Sequence, residues 1–470
     1  MRFTGIQPIF FVLLISIITY LISFESRTYF DDDAWLGEHV YSLHKTGYIK
    51  SELFAPLLDY DDQLFVYHKL FTYATLPLVS LFGFGLIKIR FIVLICLIGI
   101  TALIVGKRKL FRLHKNQSVL VVAFILVNPI ILKYGTIYRP ELMVTLMGLI
   151  SYTQLNKYLI KGGGLRLTLA SFFAGLATLA HLNGIIFIAS GAILLFFKKR
   201  FYKGVIFGLL SMLIASFYFT DIIIYDAWDT FLNQFSNDPA LFHKKKSVWA
   251  NLSYLIDDHK RWFHNLWISI FSTFSLVILF FYIRFRRGNI RLNSLLIYTL
   301  LLGFFLALLS PLNTEKYTIY LIPFICILWI RVLPHIQQLW PIKMVLIAYF
   351  IVGIVQSILL TVQRHSSFSS IEHILTSETR IIAPMEVLFE NQKSTSFLLG
   401  THYFLYFHNK YNKIEGSLSL STLTSEARKW NIDHIILRRN EYAKIRNLTV
   451  RSNHYKKTET DDFIIFSKTN

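Results

Sequence analysis

Asp31-Asp32-Asp33-Ala34-Trp35 follows directly on the first apolar segment of the chain, and its reading decides how the rest is organised. Three adjacent carboxylates stand where a membrane span should end, ahead of a short amphipathic run from Leu36 to Leu43. Neighbouring like charges repel, so such a run at a membrane boundary points to a site that handles protons or cations. One Asp suffices to cap a helix, where it accepts orphan backbone N–H groups and complements the positive dipole end. Three exceed that need.

Around this stretch the chain is built for hydrocarbon. Of its 470 residues 54% are hydrophobic and only 16% charged, with a mean hydropathy of +0.49, whereas soluble domains carry about a quarter charged residues. The net charge of +20 does not indicate nucleic acid, because much of the excess lies in short loops between apolar runs, as topology signals do. Cys96 and Cys326 both fall inside apolar runs, so neither a disulfide framework nor a metal cluster is implied. No small-residue cleavage site follows Ile6–Phe24, which reads as a retained first span.

Apolar runs recur at Gln7–Phe24, Phe91–Gly106, Ser118–Leu132, Leu142–Asn156, Leu167–Ala180, Leu182–Phe197, Gly204–Thr220, Leu266–Ile283, Leu292–Leu309, Tyr317–Ile330 and Met344–Val362. They predict an all-α polytopic membrane bundle of about eleven transmembrane helices, several shorter than the ~20 residues that cross a bilayer. At His181 one long tilted helix is the alternative to two. With a cytoplasmic N-terminus, the inner loops Lys107–Gln117, Lys157–Arg166, Lys198–Lys203, Arg284–Arg291 and Arg331–Lys343 hold eighteen Lys and Arg and no Asp or Glu. The first outer loop, Glu25–Leu64, holds nine acidic residues against three basic. The positive-inside rule is obeyed throughout and leaves the C-terminus outside. Leu64–Gly85 would invert every later loop if it crossed the membrane, so it is expected to lie at the outer surface or be partly re-entrant. Residues 25–90 thus form the first outer loop with its surface helices. Residues 221–263 form a second large outer loop, carrying Lys244-Lys245-Lys246.

The composition changes after Val362, dividing a transmembrane domain (1–362) from a soluble outer domain (363–470). There Arg380–Phe389, Ser396–His408, Ile432–Arg438 and Asp462–Ser467 read as strands and Ser421–Trp430 as a helix. This small C-terminal α/β extracytoplasmic domain has no Gly-rich phosphate loop and no nucleophile constellation, so docking or covering the membrane site is its expected task.

The outer ends of the spans gather Asp31, Asp32, Asp33, Glu38, His68, Lys69, Arg139, Glu141, His181, Asn183, Glu315 and Lys316. Charges are costly inside a bilayer and belong at interfaces or cavities. Each has an ordinary structural reading: Arg139-Pro140-Glu141 is a good helix start, Lys316-Tyr317 suits an aromatic belt with a snorkelling lysine, and Glu38-His39 suits the wet face of the helix after the triplet. Their common side is the stronger signal, because packed helices bring such groups around one outward cavity.

In this order the chain resembles the GT-C superfamily of integral-membrane glycosyltransferases. One span leads to an Asp-Asp pair before Ala34-Trp35, then come a surface helix ending at Gly83-Phe84-Gly85 and a span after Arg90. Arg139-Pro140-Glu141 stands at a later outer turn, and Lys316-Tyr317-x-x-Tyr320-Leu321-x-Pro323 stands near the end. The chain is similar to the branch holding the protein O-mannosyltransferases and the lipid A aminoarabinose transferase. It departs from that branch at Tyr67-His68-Lys69, which lacks the prolines, and at His181-Leu182-Asn183-Gly184, where relatives often carry Lys and a protonated histidine would have to serve instead.

The resemblance implies a bacterial inner-membrane enzyme using a polyprenyl-phosphate-linked sugar as donor and a lipid, glycan or protein hydroxyl as acceptor, with membrane lipids around it. The acidic pair falls on Asp32-Asp33, with Asp31 an extra carboxylate. Asp32 suits a general base, its pKa raised by Asp31 or Asp33. Lys69, Arg139 and Lys316 suit the phosphate's developing charge, with Tyr317 beside them. No cofactor is required. The triplet leaves room for a divalent cation, although no ligand spacing demands one. A ligase or polymerase of lipid-linked glycans would use similar outer-face residues without needing the acidic opening loop. A transporter or flippase would call for internal repeats and mid-span polar residues, and the chain shows neither.

Overall fold

The computed structural model describes residues 6–27, 29–238, 255–263, 265–285, 294–310, 314–336, 340–362, 368–375, 379–390, 395–412, 414, 418–445 and 454–469. The Lys244-Lys245-Lys246 run lies outside them, as does most of the expected inner loop Arg284–Arg291. The helices are α1 (Ile6–Glu25), α2 (Asp31–Thr46), α3 (Lys69–Phe82), α4 (Leu86–Gly106), α5 (Lys115–Leu126), α6 (Pro129–Tyr134), α7 (Glu141–Lys161), α8 (Gly164–Ala180) and α9 (Ile185–Phe197). They continue with α10 (Phe201–Ala215), α11 (Thr220–Ile224), α12 (Trp228–Asn237), α13 (His259–Phe263), α14 (Leu266–Phe285), α15 (Ser294–Leu309), α16 (Ile322–Ile336) and α17 (Trp340–Thr361).

The outer surface of this bundle is apolar. Phe10, Phe11 and Ile18 on α1, Ile95 and Ile98 on α4, Leu209 and Leu213 on α10 and Ile351 and Ile358 on α17 are all exposed. Large contiguous apolar surface of this kind marks contact with a membrane or a partner, and its spread over many helices fits a membrane protein. Some of the expected spans are divided into shorter helices. Among the described residues, Leu86–Gly106 and Phe201–Ile224 are long and apolar enough to cross a bilayer alone, and a bent pair ending in Leu266–Phe280 makes a third.

Two of the expected boundaries are set by local helix breaking. Ser118–Leu132 reads as one apolar run, yet Asn128 ends α5 and caps α6, its Oδ1 accepting from Ile130 N at 2.9 Å with Pro129 at the first helical position. His181 likewise decides for two helices rather than one. Its backbone is extended (φ −161°, ψ 135°), and the chain doubles back so tightly that a Cβ on Gly184 would lie 2.2 Å from Ala177 O. Between α2 and α3 the chain folds as an irregular loop. Gly47, at φ 82°, closes α2 by donating its N–H to Leu43 O at 3.0 Å. Leu64–Gly85 is helical only over α3 and parts from α4 at Gly83-Phe84-Gly85.

The C-terminal segment folds as a five-stranded sheet of β1 (Thr379–Ala383), β2 (Thr395–Gly400), β3 (His434–Arg438), β4 (Tyr455–Glu459) and β5 (Phe463–Lys468), in the order β2-β1-β3-β5-β4. β1 runs parallel to β2 and β3, while β5 is antiparallel to β3 and β4. Four strands and the helix α18 (Leu420–Lys429), capped by Ser419 Oγ on Thr422 N at 3.1 Å, follow the expected pattern. β4, with one buried residue among five, carries no apolar alternation and escaped notice. The end of the expected second strand is instead helical over Tyr403–His408.

This sheet shares its core with the first outer loop. Leu53, Phe54, Leu57, Tyr60 and Leu64 pack in one cluster with Ile381, Leu399, Ile435 and Phe463, and Gly400 N donates to Leu53 O at 3.0 Å. The C-terminal unit is therefore fixed directly over α2.

Candidate active site

The three carboxylates that open α2 point to three different basic side chains. Asp33 turns inward and is fully buried. Its Oδ1 accepts from Arg90 Nε (3.1 Å) and Tyr138 N, and its Oδ2 accepts from Arg90 Nη2 (2.6 Å) and Phe30 N (3.0 Å). Four donors around one carboxylate make it the tie between α2, α4 and the turn before α7. Asp31 turns outward to the C-terminal unit, where His402 Nδ1 lies 3.2 Å from its Oδ2. Partial burial works against its charge, but the hydrogen bond and charge of His402 hold it below the ordinary carboxylate range. Asp32, between them and partly exposed, accepts from Arg139 Nη1.

Arg139 is itself held. Its Nε (3.1 Å) and Nη2 (2.7 Å) donate to Glu141 Oε1, and both residues are buried. The paired N–H donors expected to face a phosphate are thus occupied by Glu141, and Arg139 becomes the group that positions Asp32. Lys69 is also neutralised. It pairs with Asp221, which also accepts from Tyr67 OH at 3.0 Å, and burial pushes its amine down to about 8 even so. Asp221 lies more than 150 positions along the chain, with no local pattern to announce the pairing.

His68, His181 and Tyr317, from three separate turns, form an aromatic wall. The two histidine rings stack 4.6 Å apart, and Tyr317 meets His181 edge-on at 5.4 Å. Asn183 donates its backbone N–H to His181 Nδ1 at 2.9 Å, and its side chain bonds Tyr317. A ring nitrogen accepting from a backbone N–H carries no proton, so the protonated form expected of His181 is not favoured. Burial pushes His68 down to about 4. Lys316 remains. It stands within electrostatic reach of Arg139, Glu141 and His68, and among the described residues no carboxylate lies within 4 Å of its amine. Burial first, and then the Arg139 charge, lower it to about 8.

Glu38 and His39, expected on a wet helix face, are buried. Glu38 accepts from Ser51 Oγ and from the N–H groups of Glu52 (2.7 Å) and Leu53 (3.0 Å), pinning the loop that carries the C-terminal unit. Glu315 turns aside to Lys133 and Tyr134. Among the described residues no group of three or more His, Cys, Asp or Glu is placed to hold a metal ion.

No family model matches the chain, and no curated protein does. Its backbone nevertheless superposes over almost its whole length on ArnT from Cupriavidus metallidurans. The form bound to undecaprenyl phosphate gives a TM-score of 0.62 at 11% identity over 99% of this chain and 98% of that one. The apo form gives 0.60 at the same identity, covering 98% of each. The chain has the GT-C fold. An Archaeoglobus fulgidus oligosaccharyltransferase, tethered with an acceptor peptide containing the NVT sequon, matches at a TM-score of 0.50 and 11% identity, over 91% of this chain and 69% of that one. In this chain Asp32, Arg139, Glu141, His68, His181, Asn183, Lys316 and Tyr317 lie at one end of the bundle, whereas Asp33 and Lys69 serve buried ion pairs and Asp31 faces the sheet.

Proposed function

We propose that this chain is a membrane glycosyltransferase that moves a sugar from a polyprenyl-phosphate donor to an acceptor hydroxyl on the outer face, with inversion at the anomeric carbon. The observation that carries the reading is the juxtaposition of a partly exposed carboxylate, Asp32, with an amine, Lys316, that has no described carboxylate within 4 Å, across Arg139. The GT-C fold and the undecaprenyl phosphate on ArnT support a lipid-phosphate donor. The basic turns at the opposite end support a cytoplasmic N-terminus, a bundle of about eleven spans, some of them broken helices, and an outer C-terminal unit.

Asp32 accepts the proton of the acceptor hydroxyl as the oxygen attacks the sugar carbon. The bond from that carbon to the phosphate oxygen breaks, and the polyprenyl phosphate leaves with the electron pair. Lys316 balances the charge on the departing phosphate. Arg139, fixed by Glu141, orients Asp32, and His68, His181, Asn183 and Tyr317 line the sugar. One displacement assisted by one base gives inversion.

Mass spectrometry of cell-envelope glycolipids with and without the chain tests this function. One sugar-bearing species is expected to disappear and its unmodified acceptor to accumulate; an unchanged profile contradicts the assignment.

The amine at position 316 gives a pH signature. Its charge is present below about pH 8 and lost as pH rises through that value, so the donor KM is expected to climb above pH 8. Lys316→Arg, which stays protonated, flattens that climb, and Lys316→Gln shows the high KM at every pH. A donor KM independent of both pH and this residue would remove Lys316 from the phosphate site.

A further inference from the structure

The end of the bundle opposite Asp32 carries a second polar cavity, of about 330 Å³. It is lined by the turn before α5, the second half of α7, the α9–α10 turn, the start of α15 and the last part of α16. Among the described residues its charged lining groups are Arg112, Lys198, Arg200 and Arg331, with no Asp or Glu. Asn156, also in the lining, is fifteen residues beyond Glu141 on α7, about 22 Å away at the helical rise. The cavity is therefore separate from the proposed active centre.

Arg200 is held in place, whereas Arg112 and Lys198 are exposed at the mouth. Arg200 donates to Tyr158 O (3.3 Å) and Leu159 O (3.4 Å), and its guanidinium lies 5.0 Å over the Tyr158 ring. Buried Tyr152 forms the inner wall, Asn156 adds an amide, and Ile160, 65% exposed, stands at the rim. Four like charges around one concavity give it a positive potential that favours an anion. The apolar rim adjoins the exposed helix surface, so the anion best suited to the cavity is one attached to acyl chains.

We propose that this cavity binds the phosphate headgroup of an anionic glycerophospholipid, in the leaflet faced by the basic turns. Guanidinium pairs match phosphate oxygens through two N–H donors at once, and basic pockets between membrane helices recognise such headgroups. Free phosphate compounds share the headgroup's chemistry, so the test separates the two sources.

Native mass spectrometry of the purified full chain, offered phosphatidylglycerol, phosphatidylcholine or inorganic phosphate, provides that test. Phosphatidylglycerol is expected to be retained at least tenfold over phosphatidylcholine. At about fivefold per cation, Arg200→Gln/Arg331→Gln lowers its retention roughly 25-fold, and Lys198→Gln lowers it about fivefold. Lys198 is exposed, so that variant gives a reading even where the double variant fails to accumulate. Equal retention of the two lipids, or retention undiminished in Lys198→Gln and in any double variant that folds, overturns the proposal. Displacement of the lipid by millimolar inorganic phosphate overturns the lipid assignment in favour of a soluble phosphate compound.

Discussion

Asp32→Asn is expected to lower sugar transfer in isolated membranes by about 10²–10⁴-fold, the usual contribution of a general base, while the protein accumulates as wild type. The amide has the shape of the carboxylate and still offers Arg139 an oxygen, so the bundle has no reason to open. What it loses is the ability to take a proton. Neither neighbour can replace it. Asp33 is buried beneath four donors, and Asp31 is directed to His402 on the sheet. Asp31→Asn should therefore retain most activity. Full activity in Asp32→Asn, with Asp31 and Asp33 also dispensable, would remove the general base from the mechanism.

The second large effect falls on stability. Asp33 and Arg90 are both completely buried and bonded to each other twice. Removing one partner of such a pair leaves an uncompensated charge and costs about 3–5 kcal/mol, a large part of a protein's net stability. Asp33→Ala and Arg90→Ala are thus expected to reduce the folded fraction sharply, read as protein level and melting temperature in detergent. Asp33→Leu/Arg90→Met removes both charges and is expected to recover much of that loss. The recovery is incomplete, because Phe30 N and Tyr138 N lose their acceptor. Normal accumulation of both single variants would make the pair dispensable. The adjacent aspartates then divide cleanly: one variant acts on catalysis at constant protein level, the other on the protein level itself.

That division could not be seen in the sequence. Three consecutive Asp residues are chemically alike on paper, and α-helical geometry places successive side chains about 100° apart. Which of them meets solvent depends on Arg90, Arg139 and His402, and these are scattered over more than 300 positions. The apolar runs and the one-sided charges were legible because they are local and periodic. The short Arg139-Pro140-Glu141 and Lys316-Tyr317 motifs were legible as places, although not as partners. Sequence reasoning credited Arg139 and Lys69 with free charge, whereas Glu141 and Asp221 neutralise them. The burial of Glu38 was hidden for the same reason: its donors, the Ser51 hydroxyl and the Glu52 and Leu53 N–H groups, belong to a loop thirteen to fifteen residues away. In the C-terminal unit, strands with apolar alternation were readable and the edge strand β4 was not, since its mostly exposed residues owe their place to pairing with β5.

The account rests on the acidic loop meeting the lipid-borne sugar outside the cytoplasm, and membrane-impermeant thiol labelling tests this directly. Cys96 and Cys326 are buried and give little background. Asp62→Cys, on the exposed surface of the first loop, and Lys109→Cys, exposed on a basic turn, report the two ends of the bundle. In intact cells the reagent should modify the cysteine at 62 and reach the one at 109 only after permeabilisation. The reverse pattern would put the proposed centre on the cytoplasmic side and contradict the account.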